Sequence, residues 1–131
     1  MVTQNQDDDM PGSKGKILVI EDDEAISDAV QMILNSSGYT VRTLAEGGEK
    51  MRELIQADKP DVIILDMLLS REDGRIVCKK LKEDLATKQI PVIVISAHPD
   101  GRTMAASAGA DDFLPKPFTI NDLLATVEKY G

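Results

Sequence analysis

The chain has 131 residues, of which 42% are hydrophobic and 3% aromatic with no Trp, enough for one domain around an aliphatic core. Its formal charge of −8, from 23 acidic and 15 basic residues, argues against direct nucleic-acid binding, which needs a basic stripe, and suits a cation or a basic partner surface. Cys78 is the one cysteine, which excludes an internal disulfide and argues against a thiolate metal site; no apolar run approaches the roughly 18 residues of a membrane span, so a reducing cytoplasm is expected.

The N-terminus, MVTQNQDDDMPGSKGK, has no apolar signal core. It is polar, acidic and interrupted by Gly and Pro, so residues 1–15 are expected to be a disordered tail and residues 16–131 the folded domain. The run ILVI at 17–20 reads as a strand buried on both faces. It leads straight into Glu21, Asp22, Asp23 and Glu24, four carboxylates that repel one another and lose hydration near a core. A helix N-terminus, a basic side chain or a metal ion must offset that.

The first helical stripe is Ile26, Ala29, Val30 and Ile33, closed by Gly38 as a C′ residue. A weaker strand follows at 39–44, then a stripe of Met51, Leu54 and Ile55. Residues 62–65 form the third strand. Asp73 is a candidate N-cap for a helix with Val77, Cys78, Leu81 and Leu85 on its apolar face. The fourth strand is 92–95, followed by a weak helix through Ala105 and Ala108 that ends near Gly109. A weaker fifth strand lies at 112–114. Thr119 then caps a helix with Ile120, Leu123, Leu124 and Val127.

Strand and helix thus alternate five times. Strands that are apolar throughout and alternate with helices imply an α/β doubly wound sandwich, a five-stranded parallel sheet in the flavodoxin-like order 2-1-3-4-5. Its ligand crevice lies outside the carboxyl ends of the strands, at the switch between the first and third. Glu21 and Asp22, Asp66, Ser96 and Lys116 all stand at such ends. Three carboxylates, a hydroxyl and an ammonium fit a hard divalent cation such as Mg²⁺ beside an anion site. Asp23 and Glu24 have a plainer role, favouring the positive start of the first helix.

The motifs VIEDDE, VIILDML, the DG at 73–74, VISA and GADDFLPKPF are individually weak. In this order, each at a strand end, they make residues 16–131 resemble the receiver domain of bacterial two-component response regulators, the CheY-like fold. The resemblance implies that Asp66 is the phosphoacceptor. It implies Mg²⁺ bound directly by Asp22, Asp66 and the backbone carbonyl of Leu68, with Glu21 acting through water. Ser96 would bind a phosphoryl oxygen and Lys116 would pair with the phosphoryl group, the bond from Lys116 to Pro117 being commonly cis in this family. Phe113 stands at the switching aromatic, and His98 where a side chain can tune hydrolysis. The phosphoryl donor would be a sensor histidine kinase or a histidine phosphotransfer protein. The output would be a changed surface on the fourth helix, fifth strand and fifth helix that controls a partner, with no membrane contact. Such a chain is a regulator, not an enzyme, beyond Mg²⁺-dependent self-phosphorylation and self-dephosphorylation.

Three features depart from the family. Ser70 stands where proline is frequent and Glu72 where an apolar residue is usual, which predicts a less rigid loop before the third helix. The stretch AHPDGRTMAASAG is slightly short and rich in small residues, which predicts a short or mobile fourth helix. Two other chemistries fit less well. A haloacid-dehalogenase-type phosphatase wants a second Asp where Leu68 stands, and a flavodoxin wants a Ser/Thr/Gly-rich phosphate loop where EDDE would repel it. A phosphate-independent interaction module of the same fold usually lacks one of Asp66, Asp22 or Lys116, and all three are present. The sequence ends after the fifth helix with no output domain, which suits either a stand-alone receiver or a piece of a larger protein.

Overall fold

The computed structural model describes residues 13–130. The elements run β1 (Lys16–Ile20), α1 (Glu24–Ser36), β2 (Thr40–Leu44), α2 (Glu49–Asp58), β3 (Val62–Asp66), α3 (Gly74–Glu83), β4 (Val92–Ser96), α4 (Gly101–Ser107), β5 (Asp112–Pro115) and α5 (Ile120–Glu128). All strand pairs are parallel, in the order β2-β1-β3-β4-β5. This is the expected doubly wound sandwich, and each strand falls where the aliphatic runs place it. Of the predicted tail, residues 1–12 lie outside the described residues, as does Gly131. Ser13 to Gly15 run beside β2, where Lys14 N–H donates to the Gly38 carbonyl at 2.8 Å and Thr40 N–H to the Gly15 carbonyl at 2.9 Å.

Strand alternation divides the core into two layers. Leu18, Ile20, Ile63, Leu65, Val92 and Val94 face Met51 and Ile55 of α2, Val77, Cys78 and Leu81 of α3, and Ala105 of α4. Ile17, Val19, Val62, Ile64, Ile93 and Ile95 face Val30 and Leu34 of α1 and Leu123 and Val127 of α5. Each fully buried aliphatic side chain contributes about 1.5–3 kcal/mol, so the central strands anchor the molecule.

Local chemistry sets the helix ends. The Asp23 side chain accepts from Ile26 N–H and caps α1. α1 closes with Tyr39 N–H donating to the Leu34 carbonyl and Gly38 N–H to the Asn35 carbonyl, a Schellman motif around a positive-φ glycine. Asp73 caps α3 by accepting from Arg75 N–H, and Thr119 and Asp122 form a reciprocal capping box on α5. α4 has seven residues and no side-chain cap, short as expected.

Some apolar positions fall elsewhere than the periodicity predicts. α1 buries Ser27, Val30 and Leu34, while Ala29 is exposed, because the helix sits rotated toward its 27-30-34 edge. α3 stops at Glu83 because Asp84 turns to extended backbone; Leu85 is 78% exposed and Ile90 fills the core instead. Ile120, the first residue of α5, is also exposed.

Candidate functional site

The rim at the carboxyl ends of the strands gathers the predicted residues. Asp66 closes β3 and is 4% exposed; Glu21 follows β1 and is 3% exposed. Glu21 N–H extends the ladder to the Leu44 carbonyl at 2.9 Å, which holds its side chain at the core's mouth. Lys116 follows β5, and its N–H donates to the Ser96 carbonyl at 2.9 Å. From there its Nζ reaches Glu21 Oε1 at 3.2 Å and Asp66 Oδ1 at 3.4 Å. The Lys116–Pro117 peptide is cis, as the resemblance implies. Ser96 closes β4, buried, with its Oγ accepting from His98 N–H at 2.9 Å. Oxygens of Glu21, Asp22 and Asp66 lie within 4.8 Å of one another. Leu68, exposed beyond β3, lines the same crevice with Asp23, Ile26 and Ala97. The structure therefore brings Glu21, Asp22, Asp66, Leu68, Ser96 and Lys116 to one place.

The DG pair at 73–74 explains how a helix can start against β3. A Cβ on Gly74 would sit 2.2 Å from the Asp66 carbonyl oxygen and 2.8 Å from the Met67 Cα, so no larger residue fits without moving backbone. Gly74 N–H instead donates to the Met67 carbonyl at 2.8 Å, and the Leu68–Asp73 bridge closes the loop base.

The two members of the acidic pair titrate in opposite directions. Burial, then the hydrogen bond to Asp66 and its charge, push Glu21 up to about 7, although Asp23 N–H and Lys116 oppose this. Asp22 is lowered below the usual carboxylate range, chiefly by the Ser70 hydroxyl. Glu21 thus keeps a proton near neutrality, held by its burial and by the second carboxylate beside it. All the ligand atoms on offer are hard oxygens. The donor set fits Mg²⁺, which takes carboxylates and carbonyls, keeps water and tolerates such crowding because it supplies the missing positive charge.

Phe113 is placed apart from this cluster. Its ring is buried in the layer under α4, where Gly101 lies against it and the Arg102 guanidinium sits 5.1 Å from its centroid. Ser96 stands between the two regions, since a Cβ on Gly101 would be 3.3 Å from the Ser96 Cβ as well.

The loop after β3 differs from its expected looseness. Ser70 donates its N–H to Asp22 Oδ2 at 2.6 Å and its hydroxyl to the same oxygen. Glu72 Oε1 accepts from Gly47 N–H at 2.6 Å. The two residues that depart from the family pattern are anchors. A hydroxyl and a carboxylate in a polar loop were the available signal, but their partners lie 48 and 25 positions away and periodicity carries no information about them.

Residues 17–128 match the model of the response regulator receiver domain. The response regulator MprA of Mycobacterium ulcerans is 39% identical over 112 residues, 84% of this chain and 47% of the relative. The chain spans about half the length of the curated relatives it matches. Among solved structures, the receiver domain of a signal transduction histidine kinase from Syntrophus aciditrophicus is 33% identical, with a TM-score of 0.80 over 88% of this chain and 89% of that one. The chemotaxis response regulator CheY4 of Vibrio cholerae is 28% identical, with a TM-score of 0.79 over 88% and 98%. With the fold, the rim chemistry and a family match across nearly all the described residues in agreement, the chain belongs to the response regulator receiver domains of two-component signalling.

Proposed function

We propose that Asp66 accepts a phosphoryl group and that this modification switches the surface of α4, β5 and α5. The observation that carries the reading is the buried Asp66 carboxylate, 3.4 Å from Lys116 Nζ and beside Glu21 and Asp22. An Asp66 carboxylate oxygen attacks phosphorus as the bond to the donor's imidazole nitrogen breaks, and the released imidazole takes up a proton. The protein's part is positioning and charge neutralisation. Lys116 offers an ammonium to the phosphoryl oxygens. Asp22, Asp66 and the Leu68 carbonyl would hold Mg²⁺ directly and Glu21 through water, and the bound ion would supply positive charge where phosphoryl charge collects.

The acyl phosphate adds about 1.5–2 negative charges and three strong acceptors. The Ser96 hydroxyl, now accepting from His98 N–H, is the group that would turn to donate to one of them. Its departure changes the space shared with Gly101 and Phe113, and so couples the site to α4. Moving such a two-state surface from mostly off to mostly on takes on the order of 5 kcal/mol of differential stabilisation. The donor is a sensor histidine kinase or a histidine phosphotransfer protein, and the output is a protein contact or an attached domain. The acidic surface supports neither nucleic-acid nor membrane contact by this domain, and a cytoplasmic setting fits the buried free thiol of Cys78. Among the described residues no helix is long and apolar enough to cross a membrane.

Intact-protein mass after incubation with acetyl phosphate tests this reading. A Mg²⁺-dependent gain of one phosphoryl group by the wild type, absent from Asp66→Asn, is the expected result. No gain under any condition would turn the reading toward a phosphate-independent interaction module.

A further inference from the structure

The β3–α3 loop reaches across the crevice to the acidic pair. Asp22 sits at the open side of the site, less buried than Glu21 or Asp66. A carboxylate there would sample several rotamers in water. Instead both hydrogen-bonding groups of Ser70, its N–H and its hydroxyl, converge on Asp22 Oδ2. In the same arrangement Asp22 has an oxygen within 4.8 Å of those of Glu21 and Asp66. The loop that presents Ser70 is itself fastened. Glu72 accepts from Gly47 N–H at 2.6 Å, which ties it to the loop before α2, and Gly74 N–H closes its base on the Met67 carbonyl.

We propose that Ser70 is a positioning residue for the metal site: its two donors hold the Asp22 carboxylate in the orientation a divalent cation needs, so the β3–α3 loop sets the affinity for that ion. This rests on the reading of Glu21, Asp22 and Asp66 as a Mg²⁺ site. Two effects oppose each other. Donors on a carboxylate oxygen draw charge from it and weaken its hold on a cation. They also remove the orientational freedom that binding would otherwise have to freeze. Both donors are neutral and both act on Oδ2, which leaves Oδ1 clear of Ser70, and the orienting effect wins. Partners that orient a metal ligand are typically worth about 10–100-fold in metal affinity.

Isothermal titration of the full chain with Mg²⁺ alone tests the inference, with thermal melting in EDTA run beside it. Ser70→Ala removes one donor and should weaken Mg²⁺ binding about tenfold, with thermal melting in EDTA showing that the variant is still folded at the titration temperature. Ser70→Thr keeps both donors and should bind as the wild type does. Ser70→Pro loses both and should bind more weakly than Ser70→Ala. Wild-type affinity in Ser70→Ala, or tighter binding, overturns the positioning role while leaving the metal site intact. Wild-type protein that binds no Mg²⁺, or Asp22→Asn that binds it as well as the wild type, overturns the metal reading and this inference with it.

Discussion

The segments after β3 and after β4 leave neighbouring strands at the same rim, and they are fastened over different ranges. The first is fastened by charged and polar groups. Ser70 grips Asp22, Glu72 grips the Gly47 amide, Asp73 caps α3 and Gly74 seats it on the strand. The second has local bonds, Ser96 Oγ accepting from His98 N–H and His98 Nδ1 from Asp100 N–H, exposed residues from Ala97 to Asp100, a helix of seven residues with no side-chain cap, and Gly101 against the Phe113 ring. Helix propensity alone does not sustain so short a helix in water, so packing on β5 must hold it. On the proposed function, the contrast separates two tasks. Phosphoryl transfer requires groups held within tenths of an ångström, which polar anchors supply. Reporting the event requires a surface that can repack for a few kcal/mol, which small residues and weak helix ends permit.

The largest expected effect breaks the fastened side. Lys116 is the cation that faces both buried carboxylates. Lys116→Ala should slow the Mg²⁺-dependent mass gain from acetyl phosphate by at least about a hundredfold, the usual cost of deleting a preorganised charge at a reacting group. A rate within a few-fold of the wild type would mean that Lys116 only neutralises Glu21 and Asp66 at rest.

A smaller effect sharpens the same side through pH. Glu21 is raised from 4.5 to about 7 without a metal, by burial first and by Asp66 second. Below pH 4.5 the group is protonated in both folded and unfolded chains and contributes nothing to pH dependence. Between 4.5 and about 7 the unfolded chain releases a proton that the folded chain keeps, so folding stability falls as pH rises. Urea unfolding in EDTA, followed by circular dichroism, should show a wild-type loss on the order of 2–3 kcal/mol from about pH 5 to about pH 7.5. Glu21→Gln should lose much less over that range. Equal slopes in the two proteins would mean that Glu21 does not carry the proton. Mg²⁺ should remove most of the difference for the wild type, since a bound cation favours the ionised Glu21 carboxylate.

How far the sequence spoke differs between the two sides. The strand ends were legible because an aliphatic run followed by a carboxylate, hydroxyl or lysine marks where the core meets the rim, so Glu21, Asp66, Ser96 and Lys116 could be placed from their neighbours alone. Asp73 and Thr119 were legible as caps because capping is local. Leu85 was misplaced because helical periodicity continues through a residue whose backbone turns away, and nothing in the spacing announces that Asp84 goes extended. Ala29 was misplaced because a stripe fixes a face but not the rotation of that face on the sheet. Ser70 and Glu72 predict a looser loop only when set against the proline and the apolar residue usual in the family; their partners become neighbours only when three separate crossovers are folded side by side.

The last prediction breaks the soft side. An ideal Cβ on Gly101 would stand 2.7 Å from Phe113 Cζ and 2.9 Å from its Cε1. Alanine favours a helix over glycine by up to about 1 kcal/mol, but less at a first helical position. The ring cannot yield freely, because it is buried under α4 with the Arg102 guanidinium over its face. Overpacking of this kind costs about 1–3 kcal/mol, so the clash should win and Gly101→Ala should be less stable by roughly 1–2 kcal/mol. Removing the ring should remove the penalty. In the Phe113→Ala background the added methyl should be neutral or stabilising, a coupling that a double-mutant cycle by urea unfolding reads directly. Both single variants should still take a phosphoryl group on Asp66, because Asp66, Lys116 and the acidic pair lie apart from Phe113 and Gly101. Additive effects would show that Gly101 is there for the helix start alone. A non-additive cycle would show that it is there for Phe113, and that the short helix after β4 is fitted around the ring.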